Sequence, residues 1–325
     1  MIDYSVIIRT TGQAGQKYLK LLNSIKELNP QPKEVIVVLP LESDLPENKL
    51  GYEKFYFSPK GMVKQRLLGI EKCKTKYGLV CDDDVVFEKQ FVQKMYKAIS
   101  KGNYRISIAP LYSFLPSPGI NAIISAMSSS AVPNIFHKQY YNKVLRTTGY
   151  SYNRRLQKNA YYETQTAPWT CFFAEIKAIK DIEMEKETWL EKNGYSALDD
   201  QTMFYKGWLR GIKTVVVPDA RYEHLDARTS TKNNKSSFLY SSVYNRIIYW
   251  HRFIYSQQNL IGKFWALSCF IYRLFWILIL NAFDSIRGKI TYKELMITFR
   301  AFFDGYNYLH SEEYKEMDSL ISEVS

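Results

Sequence analysis

Residues 77–87 read Y-G-L-V-C-D-D-D-V-V-F, a short apolar run that ends in three adjacent carboxylates, Asp82, Asp83 and Asp84, before apolar residues resume. Carboxylates are seldom fully buried unless paired, and three on consecutive residues repel one another, so something positive belongs beside them. Period-two geometry on a strand points Asp82 and Asp84 to one side, where they can hold a hard divalent cation beside a phosphate-bearing ligand. A solvated acidic turn closing the strand is the alternative that residue type alone leaves open.

The elements around this strand alternate. Tyr4 to Ile8 reads as a buried strand, and Tyr18, Leu19, Leu22, Ile25 and Leu28 then recur at helical spacing up to Asn29-Pro30. Glu34 to Leu39 is a second strand, ended by Pro40. Lys54 to Phe57 is a short third, followed by Gly61 and a helix carrying Leu67, Leu68 and Ile70. Strand and helix in this order imply right-handed crossovers and an α/β fold, a largely parallel sheet with helices on both faces. Ligands bind such sheets beyond the carboxyl ends of the strands, and Thr10, Thr11 and the Asp triplet fall there. A helix over 89–100 and a strand near 105–109 continue the alternation. Residues 111–165, with Pro116, Pro118, Gly119, Pro133 and serines at 128–130, predict a long, partly mobile insertion. Regular structure is expected again at 169–174, in a helix from Asp199 to Arg210, and in a strand over 213–217.

At 325 residues and 46% hydrophobic, the chain can bury one large core or split into a main domain and an appendage. Its formal charge of +12 calls for an anionic partner, whether nucleic acid, anionic lipid or nucleotide phosphate. No Asp or Glu occurs between Glu88 and Glu163, and the basic excess is densest at Arg146, Arg154, Arg155 and Lys158. This is a solvated basic face or an anion-binding flap. Cys73, Cys81, Cys171 and Cys269 show neither zinc-ligand nor disulfide-framework spacing and suit a reducing cytoplasm. The N-terminus opens on a strand, with no basic leader and cleavable apolar stretch, so secretion is not expected.

In order and spacing the motifs resemble the family 2 glycosyltransferases, whose nucleotide-diphospho-sugar-binding fold is called GT-A; the likeness covers about residues 3–226. Y-S-V-I-I-R-T-T (4–11) is similar to that family's opening strand, G-M-V-K-Q-R-L-L-G (61–69) to the stretch before its metal motif, and L-V-C-D-D-D (79–84) to the D-x-D motif itself. The resemblance implies an inverting, metal-dependent transfer from a nucleotide-diphosphate sugar to an acceptor hydroxyl. It places Thr10, Thr11, Arg66, Asp82 and Asp83 on the donor side and Asp84 on a Mg2+ or Mn2+ ion. His224 of R-Y-E-H-L (221–225) joins that ion's shell by the same likeness, although a lone His is more often structural. A-L-D-D-Q-T-M-F (197–204) resembles the family's E-D motif with Asp in the first position. That makes Asp200 the general base and Asp199 a group fixing an acceptor hydroxyl or the helix start. Either Asp alone would read as a helix N-cap.

Trp169 is a platform for the acceptor sugar or simply core. Many relatives carry an acidic residue after the second strand, whereas this chain has Val38-Leu39-Pro40; base recognition then falls to Arg9, Lys64 or backbone groups, with Arg154 and Arg155 clamping the diphosphate. A sugar-nucleotide nucleotidyltransferase shares a parallel sheet and a metal, but this chain lacks its longer basic loop signature. A nucleic-acid-binding protein fits the charge alone, and no nucleic-acid motif is present.

The chain divides into a transferase domain over 1–230 and an aromatic-rich helical region over 231–325. Phe264 to Phe283 is apolar apart from Arg273, Asn281 and a few small polar groups, long enough to cross a bilayer. A central Arg opposes crossing, at a cost of at least about 2.5 kcal/mol. An interfacial helix is favoured instead, with Arg273 snorkelling to head groups, Trp265, Phe270 and Trp276 dipping inward, and Lys263, Arg287 and Lys289 on an anionic leaflet. A membrane-borne acceptor, such as a lipid-linked oligosaccharide, and a place at the inner face of the cytoplasmic membrane follow from this reading.

Overall fold

The computed structural model describes residues 2–225 and 235–317; the expected domain boundary at 230/231 lies outside the described residues. Strands β1 (Tyr4–Arg9), β2 (Glu34–Pro40), β3 (Lys54–Ser58) and β4 (Tyr77–Asp82) pair in parallel around β1, joined through helices α1 (Gln16–Glu27) and α2 (Met62–Lys72). A short β5 (Val85–Phe87), helix α3 (Phe91–Ser100) and β6 (Ile106–Ile108) follow. Next come α4 (Ile120–Met127), β7 (Ala131–Pro133), β8 (Asn142–Val144), β9 (Tyr150–Tyr152) and β10 (Tyr162–Thr164). Strand β11 (Cys171–Glu175), α5 (Ile176–Asp181), α6 (Asp199–Leu209), β12 (Thr214–Val216) and β13 (Tyr222–His224) complete the α/β part. The central sheet runs β10-β12-β6-β11-β4-β1-β2-β3 and is mostly parallel, with β11 inserted antiparallel between β4 and β6.

Alternation along the strands explains why both faces are covered. Ile7, Ile36, Val38 and Val80 belong to one buried cluster, and Val6, Ile8, Val35, Val37 and Leu79 to the other, which α1 and α3 close. Where Pro and Ser content predicts an irregular insertion, β7, β9 and β8 build a three-stranded sheet of their own. Its tight turn requires Gly149, because a Cβ there would lie 1.9 Å from the Ser129 carbonyl oxygen.

Helix α7 (Lys235–Tyr249) continues through a π-helical turn at Trp250–Tyr255 into α8 (Leu260–Ile286), α9 (Tyr292–Tyr308) and α10 (Glu312–Lys315). Val243, Tyr244, Ile247 and Ile248 of α7 share the buried cluster that contains Ile7 and Val80, so the first C-terminal helix is part of the sheet's core. Two expectations for α8 are corrected. Arg273 does not snorkel; it is 8% exposed and its Nη1 donates to the Ser128 carbonyl oxygen at 2.8 Å. Phe270 does not point away from the protein but stacks on Trp250 at 4.3 Å between centroids.

A buried ion cluster fastens this tail to the α/β part. Glu187, its side chain fully enclosed, accepts from Lys206 Nζ at 2.7 Å, Arg252 Nε at 2.8 Å and Trp189 Nε1 at 2.8 Å. Removing one partner of a buried pair leaves an uncompensated charge. Glu187→Ala is therefore expected to lower the unfolding free energy by about 3–5 kcal/mol, read from the urea midpoint.

Candidate active site

The site is assembled on one cation at the carboxyl end of the sheet. Helix α2 begins where Glu191, distant in sequence, accepts the Val63 backbone N–H at 2.8 Å, an amide that a helix start leaves free. Arg66 lies on the buried side of the next turn. Its Nη2 donates to Asp82 Oδ1 at 2.9 Å and to the Trp169 carbonyl oxygen at 3.1 Å, and its Nη1 donates to Asp199 Oδ2 at 3.0 Å. The guanidinium lies 4.7 Å from the centroid of the Trp169 ring. Arg9 brings a second cation to Asp82, Nε to Oδ1 at 3.1 Å.

The three aspartates of the triplet face three different partners. Strand β4 stops at Asp82, and Asp83 and Asp84 form the turn into β5, so period-two geometry does not carry over to Asp84. Asp83 accepts from Thr10 Oγ1 at 2.5 Å, and that hydroxyl accepts in turn from Gly12 N at 2.9 Å. Burial pushes the Asp83 carboxyl up to about 6, against the lowering effect of Thr10 and Arg9. Pairing of β13 with β5 sets His224 opposite Val85, which leaves its Nε2 3.3 Å from Asp84 Oδ1. Among the described residues no group of three or more His, Cys, Asp and Glu could hold a metal unaided. A carboxylate and an imidazole this close suit neighbouring ligands of one divalent ion whose remaining positions go to phosphate oxygens and water. The donor set fits the implied metal on that condition.

Asp199 and Asp200 open α6, directly after Leu198 at φ +69. A branched side chain in that left-handed conformation stores about 1–3 kcal/mol of strain, of the kind found at functional sites. Burial pushes the Asp200 carboxyl up to about 7, and repulsion from Asp199 adds to it, while the Gln201 backbone N–H, 2.6 Å from Oδ1, opposes. Asp199 is also raised by burial, with Arg66 opposing. Asp200 lines a cavity of about 70 Å³ together with Leu111, Phe114, Tyr141 and Tyr150.

A larger cavity of about 450 Å³ opens after β1 and β2, lined by Thr11, Gly12, Tyr18, Glu42, Asp44 and their neighbours. Thr11 Oγ1 is buried there without a hydrogen-bond partner among the described residues. Gly12, at φ +79, allows the Asp44 carbonyl oxygen to approach within 3.1 Å of where a Cβ would stand. Glu42 and Asp44 bring acidic groups to this cavity just beyond Val38-Leu39-Pro40; they follow Pro40 in L-E-S-D, two and four residues on. Gln65 carries no motif of its own and precedes Arg66: its Nε2 donates to the carbonyl oxygens of Thr10 at 3.0 Å and Val38 at 3.2 Å, clamping the ends of β1 and β2. No local signal marks Glu191. Trp169 is 3% exposed with Arg66 over its ring, so that face is closed to a sugar. Arg9 is engaged by Asp82, Lys64 is exposed on the first turn of α2, and Arg154 donates to the Pro116 carbonyl oxygen within the insertion.

Residues 42–182 match the family model described as Glycosyl transferase family 2. The chain carries a family 2 glycosyltransferase domain. Two solved S. aureus structures are similar in fold. The crystal structure of TarS 1-349 is 14% identical with a TM-score of 0.52, covering 94% of this chain and 81% of that one. A longer TarS crystal structure is 15% identical with a TM-score of 0.51, covering 97% of this chain and 50% of that one. No curated protein matches the chain in sequence. The match makes the chain a glycosyltransferase, which implies a nucleotide-sugar donor and a glycan acceptor in place of the nucleotidyltransferase and nucleic-acid readings.

The Asp200 shift carries a stability consequence with a definite sign. A carboxyl raised from 3.8 to about 7 favours the folded state while protonated, and that contribution is lost as pH rises through about 7. Asp200→Asn, which cannot ionise, is expected to melt above the parent, with the gap widening from about pH 4 to pH 7 and level beyond, measured by calorimetry across that range.

Proposed function

We propose that this glycosyltransferase inverts the anomeric centre of a sugar carried by a nucleotide diphosphate, and places it on a hydroxyl of a glycan or lipid-linked saccharide. Surface-polysaccharide assembly at the cytoplasmic face of the membrane is the setting that this acceptor implies. The observation that carries the reading is the double ion pair of Arg66. One guanidinium holds Asp82, the start of D-x-D, and Asp199, the neighbour of the carboxylate raised to about 7.

In this reading the cavity after β1 and β2 receives the nucleotide. Thr11 Oγ1 offers its open hydrogen bond, and Glu42 or Asp44 accepts from base or ribose donors. Asp82, with Arg9 and Arg66, borders the diphosphate, while Thr10 braces Asp83 beneath the turn. Asp84 and His224 would hold Mn2+ or Mg2+, the nitrogen ligand leaning towards Mn2+. Bound there, the ion would supply positive charge to offset what gathers on the diphosphate leaving group.

Asp200 acts on the opposite side. Its carboxylate takes the proton of the acceptor hydroxyl as that oxygen attacks the anomeric carbon, and the nucleoside diphosphate departs with the electron pair of the broken C–O bond. A base titrating near neutrality is half-ionised at working pH and still basic enough to share a proton in the transition state. Asp199 aligns the start of α6 through Arg66 and borders the acceptor. Trp169 serves from below, fixing the Arg66 plane, rather than by stacking on a sugar. The division into 1–230 and 231–325 is then one of task, transfer in the first and acceptor access in the second.

Asp200→Asn is expected to lower kcat about 10²–10⁴-fold with little change in donor KM, and kcat/KM of the parent should fall below about pH 7. Nucleoside diphosphates should raise the melting temperature only with Mn2+ or Mg2+, and Asp84→Ala should abolish that rise. Near-normal turnover in Asp200→Asn, or stabilisation indifferent to metal, would overturn the respective assignment.

A further inference from the structure

We infer that α4, α8 and α9 form a platform that lies on an anionic bilayer surface with their axes along it. The inference rests on helix faces rather than on the chemistry proposed above, and it stands if that chemistry fails.

Helix α8 has 27 residues, about 40 Å at 1.5 Å per residue, and is long and apolar enough to cross a membrane by length and composition. Only 17% of its apolar window is buried. Phe264, Ile271, Phe275, Ile279 and Phe283 recur four or seven apart, so they share one face, and all are exposed. The internal Arg273 points the other way, into the protein, so between Lys263 and Asp284 the exposed face carries no charge. A charge-free stripe of this length exceeds what soluble surfaces leave open.

Neighbouring helices extend it. On α9, Tyr292, Met296, Phe299, Phe303 and Tyr306 form a second exposed stripe. On α4, the exposed Ile120, Ile123 and Met127 sit beside α8, held there by Tyr272 Oη donating to the Met127 carbonyl oxygen.

Charge selects the occupant. Lys263, Arg287 and Lys293 flank the stripes and have no carboxylate partner among the described residues; the chain carries +12 overall. Anionic head groups complement that rim, with aromatic side chains at the water–lipid boundary, whereas a second copy would bring like charges together. One-sided burial of α8 places it on the bilayer rather than through it, since its Arg273 side is fastened to the protein.

The platform also reaches the acceptor side. Arg273 binds Ser128 O, and two residues on the Ser130 carbonyl accepts from Tyr150 N at 3.1 Å; Tyr150 lines the cavity with Asp200. Docking therefore brings that cavity to the level of the lipid head groups.

Flotation of the full chain with vesicles tests this. The parent should float with phosphatidylglycerol–phosphatidylcholine vesicles, less with phosphatidylcholine alone, and be released by alkaline carbonate. The double variant Ile271→Glu/Phe275→Glu should partition roughly tenfold less or worse. Its circular dichroism and its thermal response to nucleoside diphosphate should match the parent, which separates lost docking from lost folding or lost chemistry. Flotation unchanged in the variant, no flotation of the parent, or resistance to carbonate would each overturn the inference. So would a parent dimer in sedimentation that the variant dissolves into monomers.

Discussion

The guanidinium of Arg66 is the constraint on which the site depends. Asp82 ends β4 and Asp199 begins α6, and both carboxylates turn towards the same enclosed space. Without a cation between them their repulsion in a low-dielectric setting would force them apart or protonate them. Arg suits the position where Lys would not, because a planar fork can satisfy two carboxylates and a carbonyl oxygen while lying flat on an indole. Glu191, Gln65 and Trp169 then acquire a common purpose: the first fixes the start of α2, the second locks the adjoining strand ends, and the third supports the guanidinium plane.

That arrangement leaves Asp200 deliberately under-served. Asp199 next to it has Arg66; Asp200 has, among the described residues, backbone N–H groups, chiefly that of Gln201, and a small cavity walled by aromatic and aliphatic groups. Burial raises both adjacent carboxyls; at Asp199 the Arg66 guanidinium opposes that rise, while at Asp200 repulsion from Asp199 adds to it. Stability is lost there and restored elsewhere, most visibly where Glu187 joins Lys206 on α6 to Arg252 beyond α7. The strain at Leu198 and the cost at Asp200 are carried by a helix whose far end is anchored in the core.

Much of this was legible in the sequence, for reasons that differ residue by residue. The parallel strands announced themselves because V-I-V-V-L and Y-S-V-I-I are buried on both faces, and chain order then fixed the handedness of their connections. The Asp triplet was visible because charges inside an apolar run are costly without a purpose, whereas Arg66 and the 199–200 pair stood out through their likeness to the family's motifs. Glu42 and Asp44 were passed over because they follow a Pro-ended strand in a loop, where acidic residues ordinarily mean nothing more than solvent. Glu191, Gln65 and the β5–β13 pairing that delivers His224 are contacts across long chain separations, and no local pattern encodes those. The insertion misled because Pro and Ser mark turns, and the three strands between those turns are too short to show a period.

Arg273 shows most clearly where one-dimensional reasoning fails. In a linear string it sits in the middle of an apolar segment and counts against a membrane crossing, since hydropathy averages over all sides of the helix. On a helix fastened along one side, the cost of a charge depends on its azimuth. Facing Ser128, Arg273 meets a carbonyl oxygen and leaves the outer stripe entirely apolar. The residue that counts against a crossing is thus what orients α8, because a polar anchor on one face determines which face is left outward. The same bond ties that orientation to the Ser128–Tyr150 segment, so α8 and the strand that lines the Asp200 cavity cannot turn independently.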